Sequence, residues 1–166
     1  MKGLSKTEMQ VVANLEFSGK YYFSRENIAN LFKNKRQMTN ILYTLRKKGR
    51  IHALNKNKYF LVPVKARTGK WVDNPLIIAD EMLDGKGYYV GGWYAVSYWR
   101  LTDQIPFQVD IHTTKRQGKV TIMNTRFVFH RTTKKNLRKA VLQKIENHQF
   151  LILDKEQTKK WMTSKR

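Results

Sequence analysis

The stretch Asn34-Lys35-Arg36-Gln37-Met38-Thr39-Asn40-Ile41-Leu42-Tyr43-Thr44-Leu45-Arg46-Lys47-Lys48-Gly49 decides how this chain is read. Met38, Ile41, Leu42 and Leu45 recur at i, i+3, i+4 and i+7, the spacing of one buried helix face. The opposite face carries Gln37, Thr39, Asn40, Tyr43, Arg46 and Lys47. Asn34-Lys35-Arg36 interrupts the preceding apolar pattern and reads as a turn, and Gly49 stands where a helix C-terminal cap belongs.

Upstream, Ser5 with Glu8 three residues later is a capping-box start. Met9, Val12, Ala13 and Phe17 then recur at helical spacing up to Gly19. Tyr21, Tyr22 and Phe23 predict a short strand. Ser24 is expected to cap a second helix with Ile28, Leu31 and Phe32 on one face. Downstream, Arg50–Leu54 and Lys58–Val62 predict two strands joined by an Asn55-Lys56-Asn57 turn. Helix, helix, turn, helix, hairpin is the order of a winged helix-turn-helix. In such a domain the polar side of the third helix reaches base edges and phosphates from the major groove. The candidate DNA-binding residues are therefore Gln37, Thr39, Asn40, Tyr43, Arg46 and Lys47 on that helix, with Lys35 and Arg36 in the turn before it. Lys56 and Lys58 join them at the hairpin tip.

Charge supports this reading. Of 166 residues, 33 are Lys or Arg and 12 are Asp or Glu, a net charge of +21. Residues 1–64 hold 13 basic and 3 acidic side chains, and residues 65–166 hold 20 and 9. The basic residues are threaded between apolar positions, as on the solvent faces of folded elements, and do not form a tail. With 41% apolar residues the chain can bury a core, so global disorder is excluded. A folded, strongly basic chain is most simply a nucleic-acid binder; a peripheral membrane protein is the alternative. There is no apolar run near 18 residues, so no membrane span is expected, and the N-terminus lacks an apolar signal core. The absence of Cys excludes disulfides, thiolate metal sites and a Cys nucleophile, and fits a reducing interior.

The rest of the chain predicts a small mixed α/β domain with an antiparallel sheet, giving an α+β fold class overall. The expected boundaries are 1–64 for the winged helix, 65–74 for a linker and 75–166 for the second domain. Asp73-Asn74-Pro75 starts a helix with Leu76, Ile77, Ala79, Met82 and Leu83 on its buried face. Tyr88–Val90 reads as a strand, and Gly91-Gly92 opens an aromatic helix from Trp93 to Arg100. Part of that helix is expected to serve a dimer or partner interface. Strands follow around Phe107–Ile111, Val120–Ile122 and Phe127–Phe129. A late helix is expected over Leu137–Ile145, a last strand over Phe150–Leu153, and a frayed end from Lys155 to Arg166.

Signals for catalysis are sparse. Asp110 and His112 share one face of a strand and are a candidate metal pair, but a metal nuclease needs several convergent carboxylates. Polar residues on the wet side of a sheet are the simpler account. Gly91-Gly92 before a helix is a candidate phosphate cradle without the Lys-Ser/Thr of a phosphate-binding loop. No catalytic residue, metal or cofactor is expected, and the chain reads as a non-enzyme.

Two stretches bring a family resemblance. Leu45-Arg46-Lys47-Lys48-Gly49-Arg50-Ile51, with the hairpin ending Tyr59-Phe60-Leu61-Val62-Pro63, resembles the winged helix of AbiEi-type antitoxins from type IV (abortive-infection) toxin–antitoxin systems. Tyr88-Tyr89-Val90-Gly91-Gly92-Trp93-Tyr94-Ala95 and Leu101-Thr102-Asp103-Gln104-Ile105-Pro106 are similar to the segment between that family's two α/β elements. The likeness covers most of residues 5–130, and against it the C-terminal domain is shortened. It implies a cytoplasmic, nucleoid-associated repressor of a bacterium or archaeon that binds inverted repeats, with DNA-reading positions in Arg36–Lys47 and the wing. It also implies a cognate toxin as partner, and pairing of two recognition helices on an inverted repeat implies a homodimer. The rival functions are a protein-binding antitoxin or adaptor and a nucleic-acid-processing enzyme.

Overall fold

The computed structural model describes residues 3–63 and 74–165. The fold is α+β, in two compact units, residues 1–71 and 72–166. The linker read at 65–74 lies outside the described residues except for Asn74, which caps the first helix of the second unit.

The N-terminal unit runs α1 (Lys6–Phe17), β1 (Tyr22–Ser24), a 3-10 helix η1 (Glu26–Leu31), α2 (Lys35–Lys47), β2 (Ile51–Ala53) and β3 (Lys58–Leu61). Its three strands are antiparallel in the order β1-β3-β2, with Tyr22 opposite Phe60 and Ile51 opposite Leu61. The expected capping box at Ser5 and Glu8 is present. The apolar stripe of α1 is not the expected one, because Met9 is 58% and Phe17 97% exposed, and Ala13 is exposed as well. The inward face is Glu8, Val11, Val12 and Leu15, again i, i+3, i+4, i+7. Glu8 decides between the two stripes. Its Oε2 accepts from the Ser5 N–H at 2.6 Å and from Lys48 Nζ at 2.6 Å, which turns that side of α1 towards the C-terminus of α2.

The second expected helix is a single stretch of 3-10 helix with only Ile28 buried. Ser24 does not cap it. Instead Asn27 Oδ1 accepts the Ser24 N–H at 2.7 Å, drawing the chain into a tight turn. Two Asn among six residues are poor α formers, and a segment this short takes the 3-10 form readily. Lys35 and Arg36 belong to the first turn of α2 and not to a preceding turn, because the Asn34 side chain caps the helix by accepting the Gln37 N–H at 2.9 Å. Met38, Leu42 and Leu45 bury as expected, and join Val11, Val12, Leu15, Phe23, Ile28, Ile51, Tyr59 and Leu61 in one core. Removing a fully buried side chain such as Leu45 from this core costs about 2–5 kcal/mol.

The C-terminal unit runs α3 (Pro75–Leu83), β4 (Tyr88–Gly91), α4 (Gly92–Tyr98), β5 (Gln108–Thr113), β6 (Gly118–Ile122), β7 (Thr125–Arg131), α5 (Lys134–Leu137), β8 (Ala140–Ile145), β9 (His148–Leu153) and α6 (Lys155–Thr163). Its six strands lie in the order β6-β7-β5-β4-β9-β8. The sheet is mixed and not antiparallel as expected: β4 runs parallel to β9 and β5 parallel to β7. The late helix is α5, one turn long, followed by β8. Ile145 and His148 pair across the two-residue turn Glu146-Asn147, with Glu146 at φ +53°. That hairpin pairing overrides the helical spacing of Leu137, Val141, Leu142 and Ile145. The expected frayed end is α6, capped by Asp154, which accepts from the Glu156 and Gln157 N–H groups. Thr158 is fully buried under it and Trp161 packs edge-on to Trp93.

The aromatic helix α4 is mostly consumed within its own unit. Tyr98 packs edge-on to Phe150 at 5.4 Å, and Trp99 donates its indole N–H to the Leu153 carbonyl at 2.9 Å. Among the described residues, no helix is long and apolar enough to cross a membrane.

Candidate nucleic-acid interface

The polar side of α2 is exposed along its length: Lys35, Arg36, Thr39, Asn40, Tyr43, Arg46 and Lys47 all face solvent. The buried stripe fixes the helix rotation, so these residues project together from the opposite side. The Asn40 side chain makes no hydrogen bond among the described residues, leaving its carboxamide available for a bidentate contact. Tyr43 is 57% exposed. Thr39 spends its hydroxyl proton on the Lys35 carbonyl at 2.9 Å but keeps acceptor capacity.

Gln37 stands differently from the other candidates. It is half-buried, and its Oε1 accepts the Lys33 N–H at 3.2 Å while its own N–H is capped by Asn34. The side chain helps fix the entry of α2 and keeps its amide donors and one acceptor site for other contacts. Two nearby cations are diverted. Lys48 is tied to Glu8 and to the Gly3 carbonyl, and Arg50 is buried. Burial alone would raise the Glu8 pKa, but hydrogen bonds from Lys48, the Ser5 backbone and side chain, and Thr44 outweigh it and hold the carboxyl at about 2.

At the hairpin, the Asn55 side chain accepts the N–H groups of Asn57 and Lys58, both at 2.9 Å, which builds the turn. Lys56 stands exposed at its tip, and Lys58 is half-buried as the first residue of β3. His52, on the neighbouring strand, is biased towards its neutral form by burial.

Sequence reasoning missed two residues on this face. Arg25, Thr39, Tyr43, Arg46 and Tyr59 line a notch of about 150 Å³ with Leu42 at its base. Arg25 donates from Nε to the Tyr59 hydroxyl at 3.3 Å, so its guanidinium is held beside Arg46. Arg25 is the N-cap residue of η1, and no local pattern in the sequence ties it to α2.

The other candidates lie in the C-terminal unit. Asp110 is not on a wet sheet face: it is buried, and its Oδ1 is 2.8 Å from His130 Nε2. His112 stacks between Tyr89 at 4.8 Å and His130 at 4.9 Å, and burial with the neighbouring His130 lowers its pKa to about 4, despite the opposing pull of Asp110. Among the described residues no group of three or more His, Asp or Glu is placed to hold a metal. The glycine pair meets this cluster closely. A side chain at Gly92, which has φ +61°, would begin 2.6 Å from Asp110 Oδ2, and one at Gly91 would begin 2.9 Å from the His112 ring.

No family model matches this chain, and no curated protein matches it. Among solved structures it is similar to the crystal structure of the Rv2827c protein from Mycobacterium tuberculosis, with a TM-score of 0.55 and 12% identity. The match covers 85% of this chain and 50% of that one, so the chain spans about half the length of that relative. At this identity the likeness is one of fold.

Proposed function

We propose that this chain is a sequence-specific double-stranded DNA-binding regulator, a repressor of the AbiEi antitoxin type, whose N-terminal unit works as a winged helix-turn-helix. The observation that carries the reading is the α2 face. Thr39, Asn40, Tyr43, Arg46 and Lys47 are presented side by side, Arg25 flanks them, and Lys56 stands on an exposed hairpin tip. The face combines a carboxamide suited to adenine with cations suited to phosphates, in a chain of net charge +21. As a repressor of this type it would act in the cytoplasm of a bacterium or archaeon, pair as a homodimer on an inverted repeat, and be encoded beside a toxin.

The test is selection of bound duplexes from a random pool, followed by titration of the selected site and a scrambled one at several salt concentrations. The expected result is a site preference on the α2 face and a log affinity that falls with log salt by about 0.9 per phosphate neutralised. A salt slope near zero would remove the nucleic-acid reading. A steep slope with no sequence preference would remove the repressor reading and leave general DNA binding.

A further inference from the structure

The C-terminal unit holds a cavity of about 310 Å³ whose walls include Trp93, Thr102, Gln104, Phe107, Gln108 and Asp110. This is the small end of the range for ligand cavities, roughly 300–1,000 Å³. Its rim is apolar and open, with Ile105 88%, Phe107 90% and Trp93 42% exposed. Among the described residues no Lys or Arg lines it. Its one ionisable group among the described residues is Asp110, with 12% of its side chain open.

The hydrogen bonding leaves this cavity rich in acceptors. A carboxylate only accepts, so both of its neighbours must donate. His130 Nε2 lies 2.8 Å and Gln108 Nε2 3.1 Å from the same oxygen, Asp110 Oδ1. Oδ2 has no hydrogen-bond partner among the described residues. Gln108, having turned its amide nitrogen to Asp110, has its Oε1 left as a second acceptor. Oδ2 lies close against Gly92, where any side chain would begin 2.6 Å from it.

We propose that this cavity binds a guanidinium group carried on an apolar stem. Guanidinium supplies only donors, in a planar fork, and matches the Asp110 carboxylate in the lining and Gln108 Oε1. Trp93 lines the cavity with 42% of its surface open, and an indole beside a delocalised cation is a favourable contact. Phe107 and Ile105 cover the stem. A phosphate-bearing ligand would meet the Asp110 carboxylate, which disfavours it here. The guanidinium comes either from a free alkylguanidine or from an arginine side chain of a protein partner. The inference stands apart from the DNA-binding reading.

The test titrates the full chain with butylguanidine, with a short acetylated peptide containing one arginine, with butylamine and with dimethyl phosphate. Tryptophan indole N–H resonances and calorimetry follow binding. The expected result is saturable binding of butylguanidine that moves the Trp93 resonance, with butylamine at least about tenfold weaker and no binding of dimethyl phosphate. Asp110→Asn and, separately, Gln108→Leu should each weaken butylguanidine at least about tenfold without altering DNA affinity. The second variant keeps the test sound if the first disturbs His130. A peptide that binds tighter than butylguanidine identifies a partner's arginine as the source, and equal or weaker peptide binding identifies a free guanidine. No saturation with either cation, or binding indifferent to both substitutions, overturns the proposal.

Discussion

In the N-terminal unit the exposed side of α2 presents Lys35, Arg36, Arg46 and Lys47 around Thr39, Asn40 and Tyr43. In the C-terminal unit the cavity lined by Phe107 presents a carboxylate and, among the described residues, no Lys or Arg. The first is an exposed row of polar side chains with basic flanks, which we propose meets an anionic, grooved partner. The second is a concave set of acceptors under an apolar rim. A net charge of +21 therefore describes the surface of the chain and not every recognition element on it. Each unit's chemistry has to be read from its own lining.

The hardest test of this contrast is to strip the cations from the proposed DNA face. Arg25→Ala, Arg46→Ala and Lys47→Ala combined should weaken duplex binding by about 3–5 kcal/mol at low salt, since each charge-assisted contact contributes roughly 1.5–3 kcal/mol and the three are coupled. Butylguanidine binding should be unchanged. A fluorescence anisotropy titration of the triple variant decides it, and near-normal DNA affinity would place the DNA face elsewhere.

Next in size is Glu8→Gln, which should destabilise the N-terminal unit by about 2–3 kcal/mol. It leaves Lys48 partly buried without its carboxylate. The wild type should also show the linkage. Glu8 has a folded pKa of about 2 against an ordinary 4.5, so its contribution is complete above about 4.5 and fades as the pH falls towards 2. Urea unfolding at a series of pH values, followed through signals of the N-terminal unit, measures both effects. The variant should lose that acid-side slope.

A smaller effect separates reading from holding. Asn40→Ala should cost about 1–3 kcal/mol of discrimination between selected and scrambled duplexes, with little change on scrambled DNA. Gln37→Ala should act more through helix entry than through sequence preference, because its carbonyl oxygen is committed to the Lys33 N–H. Parallel competition assays distinguish the two. The smallest effect is at the hairpin. Lys56→Ala should flatten the salt slope by about 0.9 and weaken both duplexes alike, seen in the same titrations repeated across salt.

How much of this was legible beforehand depended on whether local spacing or distant pairing governed a segment. The α2 stripe is local: Met38, Leu42 and Leu45 bury where their period puts them. In α1 two stripes satisfied the same period, and the choice fell to Glu8, whose partner Lys48 lies 40 residues away. Val141, Leu142 and Ile145 also fitted a helix, yet they form β8 because β9 is available to pair with them. Asp154 was a readable cap, but the Lys-rich composition after it suggested a frayed end. At the candidate site, the exposed α2 residues follow from the stripe alone. Arg25 and Tyr59 do not, since a strand and a turn must close before they reach Arg46. The pairing of Asp110 with His130 needed the parallel β5–β7 register, which no short-range pattern encodes.

The position of β9 between β4 and β8 has a consequence for the order of events during synthesis. All strand pairs of the N-terminal unit close between Tyr22 and Leu61, whereas Val90 of β4 must wait for Ile152 of β9. A nascent chain thus carries the partners it needs for the α2 face long before the second sheet can close. Through that interval one edge of Tyr88–Gly91 lies bare, a row of unpaired backbone N–H and C=O groups flanked by apolar side chains and open to strands from neighbouring chains. The ribosome's pace over residues 92–148 sets how long that edge stays uncovered, so slow codons there would favour aggregation without altering one contact of the finished molecule.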